Sequence, residues 1–360
     1  MANGQKKLRI GILFGGRSAE HDVSIMSARN VLKALRADRY EAVPIFVTRD
    51  GLWLLSSFSD GDVATPQDGT QVSLLPGGRG RLLGVGRDGK AVEIAAIDVL
   101  FPVLHGQWGE DGSVQGLAEV ARVPLAGCGI LGSATALDKA IAKRLFVQAG
   151  IPAARSVTIR RADNPRFDDL ARDLGLPMFV KPATQGSSVG VSKVSGSQEW
   201  SAALEAGFSH DDTLLVEEFI QAREVECAVL ERPDGSLFVS RPGEIAAAES
   251  HGFYSYDAKY VDDAGAVITV PAALPADVEE TLRTYAAAAF RALGCDGMAR
   301  ADFFLTPDNR ILVNELNTIP GFTNISMYPK AMEASGIGYS DLIDKLIEHG
   351  LARAGVTPRG

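Results

Sequence analysis

The chain is short of cysteine and of long apolar runs, and each shortage removes a class of protein. Its three cysteines, Cys128, Cys227 and Cys295, are far apart and odd in number, which fits neither a disulfide framework nor a CxxC metal site. Reduced thiols are the simple reading. The apolar run at residues 10–14, preceded by Lys6, Lys7 and Arg9, is too short for a signal-peptide core. The longest uncharged stretch, residues 123–137, is Gly-rich and falls below the roughly 20 residues of a membrane span. A soluble, unexported, cytoplasmic protein without membrane association is expected. Also missing is any block of like charge: the formal net charge is −9 and Lys and Arg are dispersed, so there is no electrostatic footprint for nucleic acid. No GxxxxGK[ST] and no GxGxxG occurs, which removes the P-loop and dinucleotide fingerprints. A small-molecule substrate is the default.

What is present is a long, core-rich chain. Its 360 residues, 46% of them hydrophobic, exceed one typical domain. Residues 8–14 read as a buried strand, Gly15-Gly16 as a turn, Ala28, Val31, Leu32 and Leu35 as a helix face, and residues 40–47 as a second strand. Residues 51–95, punctuated by Asp-Gly and Pro-Gly-Gly, read as hairpins inserted into this parallel framework. A further buried strand at 97–104 leads to a loop at 107–112 and a helix through Val120. Beyond it, a helix over 135–149, a strand entering the loop after Pro182, a strand at 214–220 and helices at 278–293 and 339–351 are predicted.

The strongest chemical signal is MARADFFLTPDNRILVNELN, residues 298–317. Two apolar strands flank the turn residues Pro307, Asp308 and Asn309, so a hairpin should bring Asp302 across from or beside Glu315. Side chains alternate along a strand, placing Asn317 on the face of Glu315 and Arg300 on that of Asp302. Magnesium prefers such carboxylate and amide oxygens. A solvated polar face is the competing reading. The segment that follows, Thr318 to Thr323, contains Gly321, whose backbone N–H can approach a ligand closely. In FVKPATQGSSVGVSKV, Lys181 precedes a small-residue loop able to cradle phosphate, with a flexible surface turn as the equal alternative. Lys139 could reach another phosphate oxygen, and the apolar strand ending near Ile220, followed by Glu224, could flank a nucleoside. Taken alone, each of these is better explained as a solvated lysine or a core strand with surface acids.

Six blocks in order, GGRSAEHDVS, HGQWGEDG, KPATQGSSVG, FYSYDAKY, ARADFF and NELNTIPGFT, closely resemble the D-alanine-D-alanine ligases of the ATP-grasp superfamily over nearly the whole chain apart from residues 51–95. The resemblance implies an α/β (α+β) protein with a Rossmann-like domain at 1–135 and a two-part ATP-grasp fold at 136–216 and 217–360. It implies ATP held by Lys139, Lys181 and Lys259, with Glu217, Glu218, Phe219 and Ile220 around adenine and Glu224 on ribose. Two Mg²⁺, replaceable by Mn²⁺, would sit on Asp302, Glu315 and Asn317, and a monovalent cation is a further candidate. Glu20 would hold the first D-alanine near His105, Ser326 and Met327 the second, and Arg300 with Gly321 the carbonyl oxygen. Ser187 and Tyr260 would join Glu20 on loop closure. Departures are few: Gln185 stands where Glu is also expected and Met327 where Leu is frequent. Tyr260 implies an amine rather than a hydroxy acid as second substrate, and a homodimer is expected. The rivals are the same fold making D-alanyl-D-lactate or D-alanyl-D-serine, an NAD-dependent oxidoreductase, and a non-catalytic nucleotide-binding regulator.

Overall fold

The computed structural model describes residues 6–247 and 266–356. Among the described residues no helix is long and apolar enough to cross a membrane. Strand Leu8–Gly15 is apolar on both faces and lies mid-sheet, parallel to Tyr40–Val47 and Val99–Pro102, where burial on both sides demands a continuous apolar run. The 51–95 region does form antiparallel strands, but at the sheet's edge: Trp53–Leu55, Gln71–Leu74, Leu82–Val85 and Ala91–Ile94 extend it outward from Tyr40–Val47 to a total of seven. After Leu8–Gly15 the chain turns at Gly15, where φ is +95° and a Cβ would lie 2.3 Å from the Val47 carbonyl oxygen. Only glycine fits there. The turn delivers Glu20 to the start of helix His21–Ala34 at the carboxyl end of the parallel strands.

A second, four-stranded antiparallel sheet runs in the order Ser156–Arg160, Thr213–Glu218, Met178–Pro182, Ser192–Val194. Helices Phe167–Leu174 and Ser197–Phe208 seal one face with Leu170, Leu174, Trp200 and Ala203. The helix expected over 135–149 is two, Ile130–Leu137 and Lys139–Gln148. Asp138, with an extended backbone, ends the first and caps the second by accepting the N–H groups of Ala140 and Ile141.

The third sheet is antiparallel, ordered Ala266–Thr269, Gly243–Ala247, Arg223–Glu231, Met298–Leu305, Ile311–Asn317, with Leu237–Val239 also paired to Arg223–Glu231. The expected hairpin is therefore present, and Asp302 pairs directly with Glu315 and Arg300 with Asn317. On the turn side of the Asp302–Glu315 pair the register slips: Phe303 pairs with Val313, leaving Asn314 as the extra residue of a bulge. Helix Ala276–Ala292 lays Val278, Leu282, Ala286, Ala289 and Phe290 on the sheet. Helices Met327–Ala334 and Tyr339–Arg353 carry Tyr328, Ile343 and Leu346 into a core shared with Ile10, Ile12 and Phe14 of the first sheet.

Polar ties add direction to that apolar contact. The Ile319 peptide donates its N–H to Glu110 Oε1 at 2.9 Å, and its carbonyl accepts His105 Nδ1 at 2.9 Å. Since a carbonyl can only accept, the His105 proton sits on Nδ1. Glu110 Oε2 in turn accepts the Gly106 N–H at 2.7 Å. Burial, reinforced by the charge of Glu20, pushes the Glu110 carboxyl up to about 8.

Two measurements check this frame. Leu346 is fully buried in the shared core, and Leu346→Ala should lower unfolding stability by roughly 2–5 kcal/mol in urea. Glu110 keeps its proton in the native protein while the unfolded chain releases it near ordinary carboxylate pH, so rising pH favours unfolding between about 5 and about 8. The stability of Glu110→Gln relative to the parent should therefore improve across that window and level off above it. A pH-independent difference would show an ordinary carboxyl.

Candidate active site

The cavity where the three sheets meet is walled by Glu20, His105, Lys139, Ser187, Arg300, Glu315, Asn317 and Gly321, with Glu110 behind them. Glu20 stands at the start of its helix yet makes no capping bond to it. Instead its Oε1 accepts Ser187 Oγ at 2.5 Å, from the loop after Met178–Pro182. A carboxylate merely favoured by a helix N-terminus would not need that distant partner. Ser187 and Ser188 have φ of +49° and +60°, a left-handed backbone that side-chain-bearing residues seldom adopt without external support.

On the third sheet Arg300 grips Asp302 bidentately, Nε to Oδ1 and Nη2 to Oδ2, both 2.7 Å, and its Nε also lies 2.8 Å from Glu226 Oε2. Asn317 Nδ2 donates to Asp302 Oδ2 at 2.9 Å, so its amide oxygen is turned elsewhere. Lys139 Nζ donates to the Gln185 carbonyl at 2.6 Å and lies 3.5 Å from Glu315 Oε2. Two carboxylates and one amide on adjacent strands are hard oxygen donors suited to magnesium. Among the described residues no group of three or more His, Cys, Asp or Glu side chains is set to hold a metal. A divalent ion at this hairpin would thus complete its shell with the Asn317 oxygen and with ligand oxygens or water, and the residues present fit one on those terms.

Deeper, the buried carboxylate of Glu217 takes ion pairs from both Lys143 and Lys181. Burial alone would raise its proton affinity, but the two ammonium groups overcome it and hold Glu217 below the ordinary carboxylate range. For Lys181, burial opposes the charge, and the attraction of Glu217 outweighs it, so this lysine stays protonated. His105 is pushed down by burial and is neutral.

The remaining expected residues that the structure describes stand outside the lining of this cavity. Glu218 turns to Arg155, accepting its backbone N–H at 2.7 Å and its Nε at 2.8 Å. Phe219, 43% exposed, faces Phe179 with ring centroids 6.1 Å apart, and both it and Ile220 lie beyond the strand, which ends at Glu218 and not at the expected residue 220. Glu224 lies in the strand pair register opposite Phe304, one step along the same face from Glu226, which is opposite Asp302. Ser326 Oγ accepts the Thr323 N–H at 2.9 Å, and Met327 is buried against Gly243. Lys259 and Tyr260 lie outside the described residues. Sequence reasoning passed over Lys143 and Glu110. Lys143 follows Lys139 by four residues on one helix face and was legible; the contacts of Glu110 are tertiary.

With that geometry in view, the comparisons become specific. A family model described as "D-ala D-ala ligase C-terminus" matches residues 145–348, and one described as "D-ala D-ala ligase N-terminus" matches residues 9–128. The chain is 61% identical over 353 residues to D-alanine–D-alanine ligase A of Brucella suis biovar 1, covering 98% of this chain and 99% of that one. It is 44% identical over 360 residues to D-alanine–D-alanine ligase A of Escherichia coli K12, covering 97% of each. Among solved structures, the VanG D-Ala:D-Ser ligase from Enterococcus faecalis superposes with a TM-score of 0.83 at 36% identity, covering 96% of this chain and all of that one. The D-alanine-D-alanine ligase from Coxiella burnetii gives 0.83 at 34% identity, covering 98% and 96%. Both halves of the chain thus match the D-alanine-D-alanine ligase family, to which this protein belongs.

Proposed function

We propose that the protein joins two D-alanine molecules, using ATP, through a D-alanyl phosphate, to supply the dipeptide of peptidoglycan precursors. The observation that carries this reading is the convergence of Glu20, Arg300, Glu315, Asn317 and Gly321, from two different sheets, on one cavity. The chain divides at 1–135, 136–216 and 217–360, a reading supported by the order of the three sheets along the chain, although strand Thr213–Glu218 of the second sheet runs two residues past its boundary. ATP would lie between the second and third sheets, its phosphates met by Lys139, Lys181 and Lys259, its adenine by Glu217, Glu218, Phe219 and Ile220, and its ribose by Glu224. Asp302, Glu315 and Asn317 would hold two Mg²⁺ or Mn²⁺. Bound there, the cations neutralise charge on the transferring phosphoryl group. A monovalent cation remains a candidate activator by family resemblance, and a cytoplasmic homodimer is the expected state.

The chain's own residues then order the chemistry. Glu20 holds the first substrate's ammonium, with neutral His105 alongside, and so turns the substrate's own carboxylate toward the γ-phosphorus. A carboxylate oxygen bonds to that phosphorus as the bond to ADP breaks, giving the acyl phosphate. The free amine of the second D-alanine, its carboxylate received at Ser326 and Met327, attacks the carbonyl carbon. Negative charge gathers on the carbonyl oxygen, where the Arg300 guanidinium and the Gly321 N–H donate, and collapse of the adduct expels phosphate. Met327 being buried, its contribution is its backbone. Ser187 on Glu20, with Tyr260, excludes water from the intermediate.

ADP release that requires D-alanine, with D-alanyl-D-alanine as product, tests the whole reading; a nucleotide-binding regulator would give neither. The likeness to a D-Ala:D-Ser ligase makes D-serine the second acceptor to try, and a preference for D-serine or D-lactate near neutral pH would overturn the substrate assignment. Glu315→Gln should cut kcat by about 100-fold or more at saturating magnesium while leaving folding intact. Tyr260→Phe should raise the use of D-lactate relative to D-alanine, and unchanged selectivity would remove Tyr260 from this role.

A further inference from the structure

The loop at 184–190 carries Ser187 to Glu20 on a backbone with two consecutive non-glycine residues at positive φ. Such a loop needs ties to its surroundings. One lies outside the groups assigned to substrate: Gln107 Nε2 donates to Thr184 Oγ1 at 3.1 Å, bridging the first sheet's loop to the base of the second sheet's loop.

Both ends of this bond are braced. Asp211 Oδ2 accepts the Thr184 N–H at 2.8 Å and its Oγ1 hydroxyl at 2.7 Å, while Asp211 Oδ1 accepts the Thr213 N–H at 3.0 Å. The Thr184 proton is thereby committed to Asp211, which leaves the hydroxyl oxygen as an acceptor facing Gln107. On the other side, Glu110 holds the Gly106 N–H at 2.7 Å, and Asp111 holds the N–H groups of Trp108 at 2.8 Å and Ser113 at 2.9 Å. Gln107 therefore projects from a loop fixed by carboxylates before and after it.

We infer that Gln107 is a positioning residue which, through Thr184, holds the 184–190 loop over the cavity so that water is kept from the acyl phosphate. This rests on the ligase reading above. The reasoning is one of competition. When the substrate's ammonium occupies Glu20, the Ser187 hydroxyl must share that carboxylate, whereas the Gln107–Thr184 bond involves no group that substrate claims. It keeps its full strength when closure matters most. If the loop lifts, water attacks the acyl phosphate in place of the second amine, returning D-alanine and inorganic phosphate, and ATP is consumed without dipeptide.

The full chain with Gln107→Ala, Thr184→Val and the double substitution tests this, with ADP and D-alanyl-D-alanine measured in the same reactions. The parent should give a ratio of about one; each single change should raise it about twofold or more, the scale set by one hydrogen bond in the closed-to-open balance. The double should go no further than the larger single, because both remove one contact. Hydrogen exchange of the ligand-free chain should quicken at residues 184–190 in each variant. A ratio that stays at one in both singles overturns the proposal, including the case where both products fall together as a general structural defect would make them. Absence of D-alanine-dependent ADP release from the parent would instead refute the ligase reading, and unchanged hydrogen exchange would then refute the latch separately.

Discussion

Two carboxylates set directly opposite one another on paired strands repel, and Asp302 facing Glu315 is such a pair. Strand pairing fixes their separation, so the protein must bring positive charge to them. It does so with Arg300 on Asp302 and Lys139 near Glu315. The same requirement is what a divalent cation would meet, and the electrostatics that burden the hairpin are those that would let it hold one. The Asn314 bulge lies immediately beside the pair, where an extra residue re-aims the side chains without breaking the ladder.

Around this hairpin the protein sets a rigid side and a lighter one. The first and third sheets share an apolar core, and the peptide after the hairpin is held at both its N–H and its C=O by residues of the first sheet. The groups proposed to bind the amino acids and the cations therefore belong to one body. The loop at 184–190 reaches that body through single side-chain contacts such as Ser187 to Glu20. Contacts of that kind cost little to break.

Much of this was legible in the residues themselves. The hairpin was legible from the turn at Pro307, Asp308 and Asn309, which put Asp302 across from or beside Glu315, but their direct pairing depends on the Asn314 bulge, which strand period does not reveal; the parallel centre of the first sheet followed from apolar runs too long to have a wet face. The single helix expected at 135–149 failed because periodicity cannot reveal that Asp138 accepts two N–H groups and restarts the helix. The 51–95 hairpins were recognisable by their turns, but which edge they joined depended on pairing with distant Tyr40–Val47. Glu217 read as part of an adenine-facing strand; that its carboxylate sits between two lysines is a matter of how Lys139–Gln148 docks. Roles, as opposed to placements, came from motif order across the whole chain.

The doubly anchored Ile319 peptide has a consequence for anyone wishing to reshape the end of the cavity lined by Gly321. Because both its polar groups are spoken for, the turn has no slack: inserting or deleting a residue between Asn317 and Phe322 would drag Gly321 out of place together with the hairpin. New room must come from exchanging side chains. Met327, whose thioether sits where a Gly243 side chain would otherwise stand, marks a seam at which a larger residue on one strand demands a smaller one on the neighbouring helix.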